Sequence, residues 1–210
     1  MRNKVKIQKL IFLIDCSGSM DGQPIESIKQ TLTKLTYRLE KYKRYRVKVD
    51  LQIIAFNKVA RFISKYSICN MVATDKTNLE DAYRKLGLIY KTQRRFDYPP
   101  IVVLLCDGCP NIGNYHRTLN RLYAYPEFRK SKRLAFAYNT TNIDALAVLR
   151  EFPEIPENTT TNNSIGEIIA TVERLLDKTV KGNFYNSSKN LSVVYKQCKK
   201  LNNKKKKDNL

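Results

Sequence analysis

No stretch of this 210-residue chain is apolar for long enough to span a membrane. The basic start, Arg2, Lys4, Lys6 and Lys9, does precede an apolar run, Leu10 to Ile14. That run is too short for a secretion signal, and Asp15 precedes Cys16 where a lipoprotein leader needs a small residue. Glycine is scarce, at seven residues, and no glycine-rich phosphate loop is present. The only histidine, His116, lies in a turn-rich segment without a paired general base, so a hydrolytic centre is not expected. Five cysteines, an odd number without regular spacing, do not form a secreted disulfide framework and point to a reducing cytoplasm. There is no internal repeat.

Acidic residues are also few, 19 against 39 basic ones, for a net charge of +20. Part of the excess sits in residues 181–210, where nine lysines face one acid, Asp208. This polar tail, with its run Lys204 to Lys207, reads as a flexible extension; Leu191, Val193, Val194 and Tyr195 offer only weak docking. Residues 1–180 are then one domain, long enough for a sizeable core. A basic field attracts nucleic acid, anionic membrane or acidic protein. Without a nucleic-acid motif, a solvated lysine-rich surface is the preferred reading.

Chemistry is concentrated in two stretches. Ile11-Phe12-Leu13-Ile14 reads as a strand buried on both faces and ends on Asp15, followed by Ser17, Gly18 and Ser19. Asp15, Ser17 and Ser19 put three hard oxygens on one turn, a donor set suited to Mg2+ or Mn2+. One carboxylate and two hydroxyls leave cationic charge uncompensated, so a bound ion attracts an external acid. Ile101 to Cys106 is a second buried run, ending on Asp107 and Gly108. Open parallel sheets bind ligands beyond the carboxyl ends of their strands, where the strand order reverses.

Between and after these stretches, strands and helices alternate. Pro24 suits the first turn of a helix carrying Ile25, Ile28, Leu32, Leu35, Leu39 and Tyr42 on one face. Val47 to Phe56, a turn at Asn57-Lys58 and Val59 to Tyr66 read as a hairpin with an edge strand bearing Arg61 and Lys65. Asn78 caps a helix through Leu79, Ala82, Tyr83, Leu86 and Ile89. Further helices are expected around Thr118 to Tyr125 and Asp144 to Phe152, with a strand over Arg133 to Tyr138 between them. Ser164 and Glu167 form a capping box for a last helix through Ile165 to Leu176. The pattern predicts an α/β, doubly wound, mainly parallel sheet with one antiparallel edge strand.

Asp15-Cys16-Ser17-Gly18-Ser19 resembles the D-x-S-x-S motif of von Willebrand factor A domains. The resemblance runs from about Lys6 to Lys178. It implies a metal-ion-dependent adhesion site completed by Thr77 and Asp107, and a Rossmann-like fold. It further implies a protein-binding adaptor whose partner offers an acidic residue to the metal. The wording Ser17-Gly18-Ser19-Met20-Asp21-Gly22-Gln23-Pro24-Ile25-Glu26 looks most like bacterial TerY-type proteins. Those are associated with tellurite resistance, stress responses and kinase or phosphatase signalling. A monomer without a membrane span is expected.

Two other chemistries compete. Phosphatases with an aspartyl nucleophile need a second carboxylate two residues on, and this chain has Ser17 there. Cys16, Cys106, Cys109 and His116 supply the ligand types of a zinc site, or the cysteines a redox pair, if they converge. The cysteines read better as small half-buried residues, and Cys69 and Cys198 as incidental.

Overall fold

Leu10 to Ile14 and Ile101 to Cys106 are wholly buried, and such runs are stable only in the middle of a covered sheet. The computed structural model describes residues 5–93, 96–107, 110–138, 140, 142–162 and 165–180. Its strands are β1 (Lys6–Asp15), β2 (Val47–Phe56), β3 (Ala60–Ile63), β4 (Ile101–Cys106), β5 (Lys132–Tyr138) and β6 (Thr159–Asn162). The helices are α1 (Gln23–Leu39), α2 (Leu79–Thr92), α3 (Tyr115–Leu122), α4 (Pro126–Lys130), α5 (Ile143–Arg150) and α6 (Ile165–Val180).

Among the described residues the sheet order is β3-β2-β1-β4-β5-β6, with only β3 antiparallel to its neighbour. Order reverses between β1 and β4, so the crevice expected of a doubly wound sheet opens above these two strands. Alternation along β1 sends Leu10, Phe12 and Ile14 to a core under α1 and α6; Ile11 and Leu13 face a second core under α2, α3, α4 and α5. No described helix is long and apolar enough to cross a membrane.

Several expected boundaries shift. The first strand begins at Lys6, because Gln8 and Lys9 are buried with polar partners: Gln8 Nε2 donates to Pro99 O at 3.0 Å, and Lys9 pairs with Asp50. The edge strand stops at Ile63, since Lys65–Asn70 winds into a 3-10 turn. The helix expected around Thr118 starts earlier, where Asn114 Oδ1 accepts from Arg117 N at 3.2 Å, and Pro126 opens α4 separately. Strand β6, four polar residues, had no apolar signal to announce it. The Ser164 capping box, the basic tail 181–210 and Cys109 lie outside the described residues.

Arg133 is a buried anchor at the start of β5. Its Nε donates to Phe152 O at 2.8 Å, and its Nη1 to Phe128 O at 2.5 Å. The guanidinium also lies over the Phe128 ring, 4.5 Å from the centroid. It thereby ties α4 and the segment after α5 to the sheet end opposite the crevice.

Candidate metal centre

Parallel pairing sets Ile14 against Leu105, so the next residues, Asp15 and Cys106, meet at the strand ends. By parity both face the core under α2. Cys106 Sγ donates to Asp15 Oδ2 at 2.9 Å, and Ser17 N donates to Asp15 Oδ1 at 2.8 Å. Ser17 Oγ and Ser19 Oγ stand 3.1 Å apart, and Ser19 Oγ donates to Asp107 Oδ1 at 3.1 Å. Four of the five expected ligands, Asp15, Ser17, Ser19 and Asp107, thus form one hydrogen-bonded chain across the crevice. Ligand atoms of Asp15, Cys106 and Asp107 all lie within 4.8 Å of one another.

The Thr77 hydroxyl makes no hydrogen bond to the other four among the described residues. Its loop is stitched to the first turn: Gly18 N donates to Asp75 O at 3.0 Å and Thr74 N to Cys16 O at 2.8 Å. Asp75 adopts a left-handed φ of 66°, a conformation its short polar side chain tolerates. Asn111 clasps Thr77 from the loop after β4. Its Oδ1 accepts from Thr77 N and its N donates to Thr77 O, both at 3.1 Å. Asn78 caps α2 as expected, its Oδ1 accepting from Asp81 N at 3.1 Å.

Glu80 is the second fastening that periodicity did not reveal. Its carboxylate pairs with Arg84 and accepts from Asn114 N at 2.6 Å, which holds that carboxyl below the usual range. Gly113, with φ 81°, passes so close to Glu80 that a side chain at 113 meets it. We predict that Gly113→Ala destabilises the domain by about 1–3 kcal/mol, through strained backbone and displacement of Glu80. Thermal melting of the variant against wild type checks this.

Burial pushes the Asp15 carboxyl up to about 6, against the pull of the Cys106 thiol and of Ser17; the Asp107 charge adds to the rise. Asp107 is raised too, by burial, opposed by the Ser19 hydroxyl. Although basic residues outnumber acidic ones twofold, no ion pair to either carboxylate occurs among the described residues. Two neighbouring carboxylates, one buried and one partly exposed, with hydroxyls and without a basic partner among the described residues, are a donor set that fits a divalent cation.

Among the described residues, Cys16, Cys106 and His116 of the expected cysteine–histidine zinc set do not come together. Cys16 belongs to the core under α1, on the other face of the sheet from Cys106. His116 Nδ1 lies 2.9 Å from Glu151 Oε2 on the surface. Burial pushes the Cys16 thiol up to about 12, and the Asp15 charge reinforces it. In a protein with Cys109 and Cys198 changed to Ser, one thiol, the exposed Cys69, should react readily with an aromatic disulfide reagent. Cys16 and Cys106 should react only after denaturation; three fast thiols in the native protein contradict their burial.

The von Willebrand factor type A domain family profile matches residues 9–171. No curated protein matches this chain significantly. Among solved structures, proximal thread matrix protein 1 from the mussel byssus superposes with a TM-score of 0.62 at 15% identity, covering 84% of this chain and 48% of that one. Another structure of that protein carries a zinc-occupied MIDAS motif; it has 16% identity, covers 84% and 49%, and has a TM-score of 0.63. The vWF domain of the type V pili tip protein Mfa5 from Porphyromonas gingivalis covers 86% of this chain and 97% of that one, at 9% identity and a TM-score of 0.63. The chain spans about half the length of the mussel protein it resembles. At these identities the likeness concerns the fold.

Proposed function

Because the chain belongs to the von Willebrand factor type A domain family, we propose that it is a divalent-metal-dependent protein-binding module. The observation that supports this most is the hydrogen-bonded chain from Asp15 through Ser17 and Ser19 to Asp107, which joins a buried and a partly exposed carboxylate without a basic partner among the described residues. Asp15, Ser17, Ser19, Thr77 and Asp107 would hold a divalent ion, and their oxygens by themselves suit Mg2+ or Mn2+. When bound, the ion supplies a Lewis-acidic position for an external carboxylate. Ser17 N and Cys106 hold the Asp15 carboxylate in place, and Ser19 at the exposed rim orients Asp107. Asn111 fixes the backbone of Thr77 so that its loop and the Asp107 loop move as one.

The partner is a protein with an acidic residue, drawn also by the basic surface. The module is a monomeric cytoplasmic adaptor without catalytic activity, of the bacterial TerY-like kind that serves tellurite-resistance or stress systems. That finer placing rests on the wording around the motif. Nucleic-acid binding through the basic surface is the less favoured reading. Capture of a partner should fail in chelator, return with Mg2+ and depend weakly on salt, since the contact is coordination. Steep salt dependence with indifference to chelator would instead mark phosphate neutralisation and overturn the proposal.

A further inference from the structure

We infer that Cys106 makes this centre prefer a thiophilic divalent ion of the zinc type over Mg2+, by adding a sulfur ligand beside Asp15 and Asp107. The inference rests on the metal-dependent reading of the same site and concerns which ion occupies it. Mg2+ takes oxygen ligands in near-octahedral geometry, so a thiol among its carboxylates contributes nothing to holding it. Zinc binds thiolate at about 2.3 Å and carboxylate oxygen at about 2.0–2.2 Å, and accepts a mixed set of three protein ligands plus one open position. Cys106, Asp15 and Asp107 provide such a set, all within 4.8 Å.

The thiol is already directed at the carboxylate. Sγ stands 2.9 Å from Asp15 Oδ2 with its proton between them. Two such ligands on one tetrahedral ion stand about 3.5 Å apart, so exchanging proton for ion requires an opening of about 0.6 Å. The S–H bond breaks, a metal–sulfur bond forms, and the proton leaves to solvent with no change of oxidation state. Cys106 and Asp15 are fully buried at the floor of the crevice, while Asp107 is partly exposed and Ser19 lies at the rim. A further ligand, such as a partner's acidic group, would therefore reach a bound ion from the exposed side. The zinc set read from the sequence shared only Cys106 with this one, because Cys16 lies on the far face of the sheet.

The test uses the full chain stripped of metal, then titrated with Mg2+, Zn2+ and Co2+. Co2+ serves as the spectroscopic stand-in for zinc, because thiolate ligation gives it a near-ultraviolet charge-transfer band. Wild type should show the band, and Cys109→Ser should keep it. Cys106→Ser should lose it, with Zn2+ affinity falling at least tenfold relative to Mg2+ affinity. Cys106→Thr provides a second variant should Cys106→Ser fold poorly. A band that persists in the Cys106 variants, or equal Zn2+ affinity with and without the thiol, overturns the inference while a Mg2+ response leaves the wider reading standing. If neither ion raises the melting temperature of wild type, both fail together.

Discussion

Asp15→Asn should abolish metal binding and at the same time stabilise the metal-free domain. The carboxylate is buried, touches a thiol and a backbone N–H, and stands near Asp107. Burial and that neighbouring charge raise it from 3.8 to about 6. The sign follows from linkage: a folded-state carboxyl above its unfolded value destabilises the fold where it is ionised. That burden is fully present above about pH 6 and gone below 3.8. At pH 7 in chelator, the neutral amide should therefore gain about 1–2 kcal/mol. Saturating wild type with its ion at about a hundredfold excess over Kd should add ~2.7 kcal/mol, and the variant should gain nothing. For a chain of this size, melting should rise by about 5–10 °C in wild type and stay flat in Asp15→Asn. A metal-induced rise in the variant equal to wild type would remove Asp15 from the ligand set.

The second large effect concerns the fold alone. Arg133→Ala should destabilise the domain by about 3–5 kcal/mol, the range for truncating a large, fully buried side chain. Two carbonyls, of Phe128 and Phe152, lose close donors, and a cavity opens beside the Phe128 ring. Arg133→Lys keeps the charge but cannot donate in two directions with a planar fork, so it should fall between wild type and alanine. Urea unfolding measures both. Because Arg133 lies at the opposite end of β5 from the crevice, the metal-induced rise should survive in Arg133→Lys. Loss of that rise would mean the two ends of the sheet are coupled.

The chain by itself determined the family of fold and most of the candidate site. Ile11 to Asp15 and Ile101 to Asp107 announce buried strands ending in carboxylates, because a run of apolar residues is interpretable without knowing its neighbours. Ser17 and Ser19 follow within one turn, and Asn78 caps its helix through a contact three residues away. All of these are local relations, and local relations survive in one dimension.

Tertiary structure decided what depends on register and on loops meeting. Cys106 reaches Asp15, 91 residues away, only because β1 and β4 pair in parallel with Ile14 opposite Leu105. A slip of one residue would turn one of the two to the other face. The same rule separates Cys16 from Cys106, although both stand near strand ends. Asn111 grips Thr77 across 34 residues, and Glu80 grips Asn114 across 34, through single polar contacts that carry no periodicity. Strand β6 forms from Thr159–Asn162 because β5 offers an edge to pair with, in a segment with no apolar pattern of its own. Spacing along the chain therefore located the oxygens, and strand pairing brought a sulfur among them.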